Sequence, residues 1–201
     1  MSQLLGAVLV SLLVGARTST CQETVAELGL RASGGVSVFM GGGRAVHDVP
    51  GGELGAAIDL GWAWSERLRL MGDASWFVGR LREYVPQDDE EFSGPVYDLS
   101  GSVSLLALIG SPASRQAIYA GLGLSIHALS SSFRSIPLDR RYNANRFGVT
   151  GTLGGRMWLG QAGRSALFAE LREFRVSDMN RWSVRMGIMR NFDALARPRR
   201  S

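Results

Sequence analysis

The stretch R181-W-S-V-R-M-G-I-M-R-N-F192 decides the fold. Trp182, Val184, Met186, Ile188 and Phe192 fall on alternate positions, separated by Ser183, Arg185, Gly187, Met189 and Asn191. A period of two is a β-strand. One face is apolar, the other carries small and cationic residues, and the run ends on an aromatic residue. By parity Arg190 falls on the apolar face, two residues from the end, where snorkelling eases its burial.

The same period runs back through the chain from about residue 29, and no window of useful length keeps apolar residues at helical spacing. Seven further strands are predicted, at about 29–40, 53–64, 67–80, 96–109, 116–129, 146–159 and 165–174. Their apolar positions alternate as in Leu54, Ala56, Ile58, Leu60, Trp62, Trp64 or in Ile118, Ala120, Leu122, Leu124, Ile126, Ala128. Long connections ("GGGRAVHDVPGG", "REYVPQDDEEFSGP", "SSSFRSIPLDRRYNAN", and the shorter "RVSDMN") alternate with short ones ("SER", "GSPASR", "GQAGR"). Long and short connections on opposite ends make an up-and-down meander, which Greek-key crossovers of a soluble sandwich would break.

Alternation does not say which face is wet. A soluble barrel puts its apolar face inside; a membrane barrel turns it toward lipid. The polar face is crowded with small residues, among them Gly55, Ser75, Ser100, Ser102, Ser104, Gly121, Gly123, Thr150 and Thr152, as a narrow lumen requires. Trp158 also falls on this face by parity, and a bulge near Gly154-Gly155 is expected to turn it outward. The charges on it are few and of both signs. Arg31, Arg69, Arg156, Arg172 and Arg185 face Asp59, Asp73, Asp98 and Glu170, which suits an enclosed core in which charges must be paired. Aromatics of the apolar face gather near strand ends, Trp62, Trp64 and Phe192 at one end and Trp76, Tyr97, Phe147 and Trp182 at the other, as two interfacial girdles would. The expected fold is therefore all-β, a membrane-spanning, up-and-down, antiparallel eight-stranded β-barrel over residues 25–192. In lipid it must close, because an open edge would leave backbone groups unpaired.

Composition agrees. The 26 Gly among 201 residues are spread through the apolar stretches rather than collected in a linker. Every one of the 22 basic residues is Arg, and the net charge is only +4. No basic stripe interleaves with stacking aromatics, so nucleic acid is not an expected partner.

Residues 1–20 read as a signal peptide. The apolar run "LLGAVLVSLLV" at 4–14 is too short to span a bilayer as a helix and matches a signal core, with cleavage expected after Ala16 or near Thr20. No basic residue precedes it. Cys21 is the only cysteine; "TST" before it lacks the Leu of a lipoprotein signal, so lipidation is not expected. Residues 193–201 form a short basic tail containing "RPRR".

Signal peptide, eight alternating strands, unequal connections and a last strand ending in Phe192 together resemble the small eight-stranded outer-membrane barrels of the OmpA/OmpX-like superfamily. The resemblance implies a bacterial outer-membrane location, both termini and the short turns periplasmic, and the long loops extracellular. It also implies recognition of the strand ending in Phe192 by the barrel-assembly machinery. Here "DALARPRRS" follows Phe192, whereas relatives often end at the aromatic.

Candidate chemistry is sparse. Ser125 and His127 share one face, with Glu170 on the same side, which raises a lipid-A-deacylase-like hydrolase as the alternative. Those enzymes carry His-x-Ser rather than Ser-x-His, with the site reaching lipid, so the expectation is no enzyme. The acidic run "DDEE" at 88–91 lacks the spacing and Gly of a calcium loop, and His47 lacks ligand neighbours; no metal and no cofactor are expected. Arg134, Arg140 and Arg141 in a long loop are candidates for lipopolysaccharide phosphates. An eight-stranded lumen is just wide enough to fill with side chains, so a general pore is not expected, although a narrow ion leak is a further alternative. A secreted soluble barrel holding an apolar ligand is the remaining reading. The expected role is structural, adhesive or surface recognition.

Overall fold

The computed structural model describes residues 28–41, 48–62, 67–85, 90–109, 114–131, 143–159, 164–176 and 179–192. The signal segment, Cys21, His47, Trp64, Asp88, Asp89, Arg134, Arg140, Arg141 and the tail lie outside them, as do the side chains of Trp62, Glu90 and Glu91.

Eight strands follow one another: β1 Leu28–Gly41, β2 Val49–Trp62, β3 Leu68–Val85, β4 Glu90–Ile109, β5 Gln116–Ser131, β6 Ala144–Leu159, β7 Ser165–Val176 and β8 Met179–Phe192. Each pairs antiparallel with its neighbours in sequence, and β1 pairs with β8 to close the barrel. The seam runs from Leu28↔Phe192 to Gly41↔Met179 without a slip. Leu28 and Phe192 thus lie together at the short-turn end.

The side chains sort as the period of two requires. Along β8 burial alternates strictly from Met179 to Val184 and on to Met186, with Arg181, Ser183 and Arg185 buried and Trp182, Val184 and Met186 exposed. All eight strands contribute to the apolar outer wall, for example through Leu30, Leu54, Trp76, Leu99, Leu124, Phe147, Leu167 and Met186. Leu124 is 70% and Phe147 79% exposed, in a continuous apolar surface far larger than a water-soluble monomer tolerates. Polarity is inverted, with the buried Arg, Asp and Glu side chains inside. A soluble barrel with an apolar ligand cavity is the opposite arrangement.

Three expectations change. The strands are longer than predicted at the long-loop end: β3 and β4 stay paired through Val85↔Glu90, so most of "REYVPQDDEEFSGP" is hairpin rather than loop. Glu90 and Glu91 of "DDEE" are strand residues. Propensity-poor Gly, Pro and acidic residues hid this, because the partner strand supplies the hydrogen bonds that local preference does not favour.

Second, β6 carries no bulge at Gly154-Gly155, as its registers with β5 and β7 are unbroken. Trp158 stays on the inner side, packed against Ala166, Phe168 and Met189, with the Arg156 guanidinium 4.9 Å from its ring centroid. An aromatic at the lumen mouth is stabilised there by that stacking.

Third, the irregularity occurs in β2, where the register with β3 shifts between Asp59 and Trp62. Gly61 takes φ 87°, a conformation that side-chain-bearing residues rarely adopt, and its N–H donates to Asp59 Oδ1 at 3.1 Å. After the shift the backbone of Trp62 pairs with that of Arg69.

Candidate functional site

The lumen is layered. At the long-loop end Phe39, Val49, Phe77, Leu81, Val96, Leu129 and Met179 form an apolar cluster. Toward the short turns Ala57, Met71, Leu106, Leu108, Ala117 and Tyr119 form a second, and Ala166, Phe168 and Met189 a third. These bulky inner positions depart from the uniformly small lumen that the sequence suggested. Side chains at the ends of a closed barrel have room to lie across its mouth, whereas those at mid-height compete with every other strand.

Between the apolar layers lies one chain of ion pairs. Glu170 on β7 is its hub: it receives Arg31 at 2.8 Å, Arg172 at 2.9 Å, Arg185 at 3.5 Å and the Tyr119 hydroxyl at 2.6 Å. Arg31 continues to Asp59 at 3.1 Å, and Asp59 to Arg69 at 3.0 Å. Asp73 bridges Arg172 at 2.8 Å and Arg185 at 3.2 Å. Arg185 also reaches Glu53 at 3.3 Å, Glu53 meets Arg181 at 3.6 Å, and Arg181 ends the chain on Asp98. The hydroxyls of Ser37 and Ser183 donate to Glu53. Five carboxylates are thus matched by five guanidiniums, and no group in the chain is left to the low-dielectric interior alone.

The predicted members Arg31, Asp59, Arg69, Asp73, Asp98, Glu170, Arg172 and Arg185 all lie in this chain, while Arg156 stands beside Trp158. Glu53, Arg181 and Tyr119 were not among them. Glu53 and Arg181 are the first residues of the predicted second and eighth strands and share the polar parity of Asp59 and Arg185, so the alternation already pointed both inward. Arg181 is also ringed by aromatics, with Phe174 at 4.3 Å, Phe39 at 5.6 Å and Phe77 at 5.9 Å.

The arginines come from β1, β3, β7 and β8, and the facing wall of β4–β6 is lined by small hydroxyl residues such as Ser100, Ser102, Ser104, Ser125 and Thr150. The long side chains use that space: Arg181 on β8 donates to Ser100 on β4 at 3.1 Å.

Ser125 and His127 do meet. His127 Nε2 is 3.0 Å from Ser125 Oγ, and its Nδ1 is 2.8 Å from Asp98 Oδ2. The acid is Asp98, not Glu170, which is held by the arginines. Strand alternation puts both carboxylates and His127 on one face, and only the register Ser100↔His127 between β4 and β5 brings Asp98 alongside. The linear order of hydrogen bonds is that of a nucleophile, a base and an orienting carboxylate. However, Ser125 is buried, and the next inward residues toward the loops, Val96 and Leu129, belong to the apolar cluster. Asp98 Oδ2 is also the acceptor of Arg181.

On the outer wall, Trp76, Tyr97, Phe147, Trp182 and Phe192 are exposed, with the Arg190 guanidinium 5.9 Å from the Phe192 ring centroid. Among the described residues no group of three metal-ligating side chains is present.

No family model and no curated protein matches the sequence. Solved structures match the fold. Neisserial surface protein A superposes with a TM-score of 0.58 at 11% identity, over 82% of this chain and 97% of that one. The outer membrane protein OprG from Pseudomonas aeruginosa superposes with a TM-score of 0.61 at 12% identity, over 85% of this chain and 98% of that one. The chain has the fold of the small eight-stranded outer-membrane barrels.

Proposed function

We propose that this protein is an integral outer-membrane barrel whose lumen is a closed structural core and whose specific role, in adhesion, recognition or envelope stabilisation, belongs to its long-loop end. The observation that carries this reading is the inverted polarity, a predominantly apolar wall outside and a charge-balanced ion-pair chain inside. Both termini and the short turns then lie in the periplasm. The exposed aromatics on the outer wall act as interfacial anchors, and Phe192 closes the strand presented to the barrel-assembly machinery. Arg134, Arg140 and Arg141 remain the loop candidates for lipopolysaccharide phosphates.

Two predictions test the wall and the lumen. Leu124→Arg puts a charge on the outer wall of β5. Facing lipid near mid-depth it costs about 2–4 kcal/mol of folding into phospholipid vesicles. A barrel whose wall faces water would tolerate the change. In planar bilayers the folded protein gives no steady conductance, because apolar layers close both ends of the ion-pair chain; a stable open channel would favour the ion-leak reading.

The second reading, a lipid-modifying hydrolase, is favoured by the Ser125–His127–Asp98 geometry alone. Burial of Ser125 under Val96 and Leu129 supports the non-enzymatic reading. Under that reading a fluorophosphonate probe leaves Ser125 unlabelled, and His127→Ala leaves lipid A and phospholipid turnover in the envelope unchanged. Labelling at Ser125 that His127→Ala abolishes would make the protein a serine hydrolase.

A further inference from the structure

One feature of the outer wall is not used by the closed core. The outward positions along β3 run Ala74, Trp76, Val78, Arg80, Arg82 from the short-turn end toward the long-loop end. Beside them on β2, the outward positions Gly52 and Pro50 carry no long side chain. Gly34 on β1 adds another gap, so that a groove of about 340 Å³ opens between Leu54, Trp76 and Val78. A second hollow of about 600 Å³, bounded by Pro50, Arg80 and Pro95, shares Val78 with it on the long-loop side.

The hollow has a backbone cause. The β2–β3 ladder runs out at Gly51↔Gly79, whereas β3 stays paired with β4 as far as Val85↔Glu90. Pro50, at the point where the strands part, has no N–H with which to extend a ladder. The gap in the wall is not a packing requirement of the barrel either. A Cβ on Gly52 would meet no atom within 4 Å.

We propose that this groove seats an acyl chain of a phosphorylated, multiply acylated lipid of the outer leaflet, with Arg80 and Arg82 binding its phosphate. The inference rests on the membrane reading above, which places the wall in lipid and the long-loop end outward. Apolar and cationic surface follow one another along one line, complementary to an amphiphile. The groove is apolar from Gly34 to Val78 and becomes cationic at the next two outward positions, about 7 Å apart along the strand. That is the order of an amphiphile entering tail first with an anionic head at the interface. Guanidinium geometry suits phosphate oxygens.

The test uses the full chain folded in zwitterionic detergent and purified bisphosphorylated, hexa-acylated lipid A as the probe, with retained lipid counted by native mass spectrometry. Wild type retains the lipid saturably. Gly52→Leu, which fills the groove, and the pair Arg80→Gln with Arg82→Gln each weaken retention by about tenfold. Gly72→Leu serves as control, being a second outward glycine whose Cβ would meet nothing within 4 Å, and retains lipid as wild type does. Dephosphorylated lipid A is retained by wild type as weakly as lipid A is by the arginine variants. Equal retention by Gly52→Leu and Gly72→Leu, or no effect of removing the phosphates, overturns the proposal. Every variant is also run with and without boiling on a gel. A heat-shifting barrel that holds no lipid contradicts this inference alone, whereas a protein soluble without detergent and lacking the shift contradicts the membrane reading beneath it.

Discussion

Glu170→Gln is expected to destabilise the barrel by about 3–5 kcal/mol, the cost of removing one partner from a buried ion-pair cluster. The substitution keeps the shape of the side chain and removes its charge. Arg31, Arg172 and Arg185 then lose a shared anion at 2.8, 2.9 and 3.5 Å, and Tyr119 loses the charged acceptor of its hydroxyl. Arg31 keeps Asp59, and Arg172 and Arg185 keep Asp73, so the interior retains three cations close together with less anion between them. The comparison is Glu173→Gln, three residues on. Its partner Arg175, 2.7 Å away, is 67% exposed on the outer side, and the loss there is at most about 1 kcal/mol. Urea titration of protein folded in phospholipid vesicles, followed by tryptophan fluorescence, measures both. Equal stabilities for the two variants would mean that the lumen charges are hydrated and not a structural core.

The second large effect is at the closing seam. Gly35 on β1 and Gly187 on β8 sit two pairs apart, opposite Arg185 and Ser33. A Cβ on Gly35 would lie 2.1 Å from the Val184 carbonyl oxygen, and one on Gly187 2.0 Å from that of Ala32. Both obstacles are backbone, so a side chain at either position must push the two strands apart where the barrel closes. Gly35→Val and Gly187→Val are each expected to cost about 3 kcal/mol or more, the upper range for overpacking, and to remove the heat-shifting band of the folded protein. Gly34→Ala, one residue along β1, directs its methyl group outward, where the nearest atom is a Leu54 methyl at 3.6 Å, and folds as wild type does. A normal heat shift for Gly35→Val would show that the seam is looser than the register Leu28↔Phe192 to Gly41↔Met179 implies.

The sequence carried the parity of every strand and therefore which side chains face which way. Val184 and Met186 outside, Arg185 inside, follow from a period of two and from the absence of any other place for them. What parity does not carry is height and register. It placed Asp98, Glu170 and His127 on one face but could not choose between the two carboxylates as partner of His127; the β4–β5 pairing makes that choice. It also stopped β2 and β8 short, because Val49-Pro50-Gly51-Gly52 and Met179-Asn180 look like turn. Glu53 and Arg181, the link between the Asp98 end and the Glu170 hub, lay at the first positions of those predicted strands, with the polar parity but with no indication of a partner. The apolar layers had the clearest signal that went unread. Phe77, Leu106, Phe168 and Phe174 occupy inner parity positions, and large residues there mark where the lumen ends.

The central claim is that the apolar wall faces hydrocarbon while the polar face is enclosed. Leu124→Cys and Ser125→Cys, adjacent on β5 but on opposite faces, test it in a Cys21→Ala background. A fluorophore on the first cysteine, after folding into vesicles, is predicted to be quenched strongly by bromine-labelled acyl chains and little by aqueous iodide. The Ser125→Cys thiol is predicted to stay unreactive until the barrel is unfolded. Iodide quenching at position 124, or ready labelling at position 125, would contradict the account.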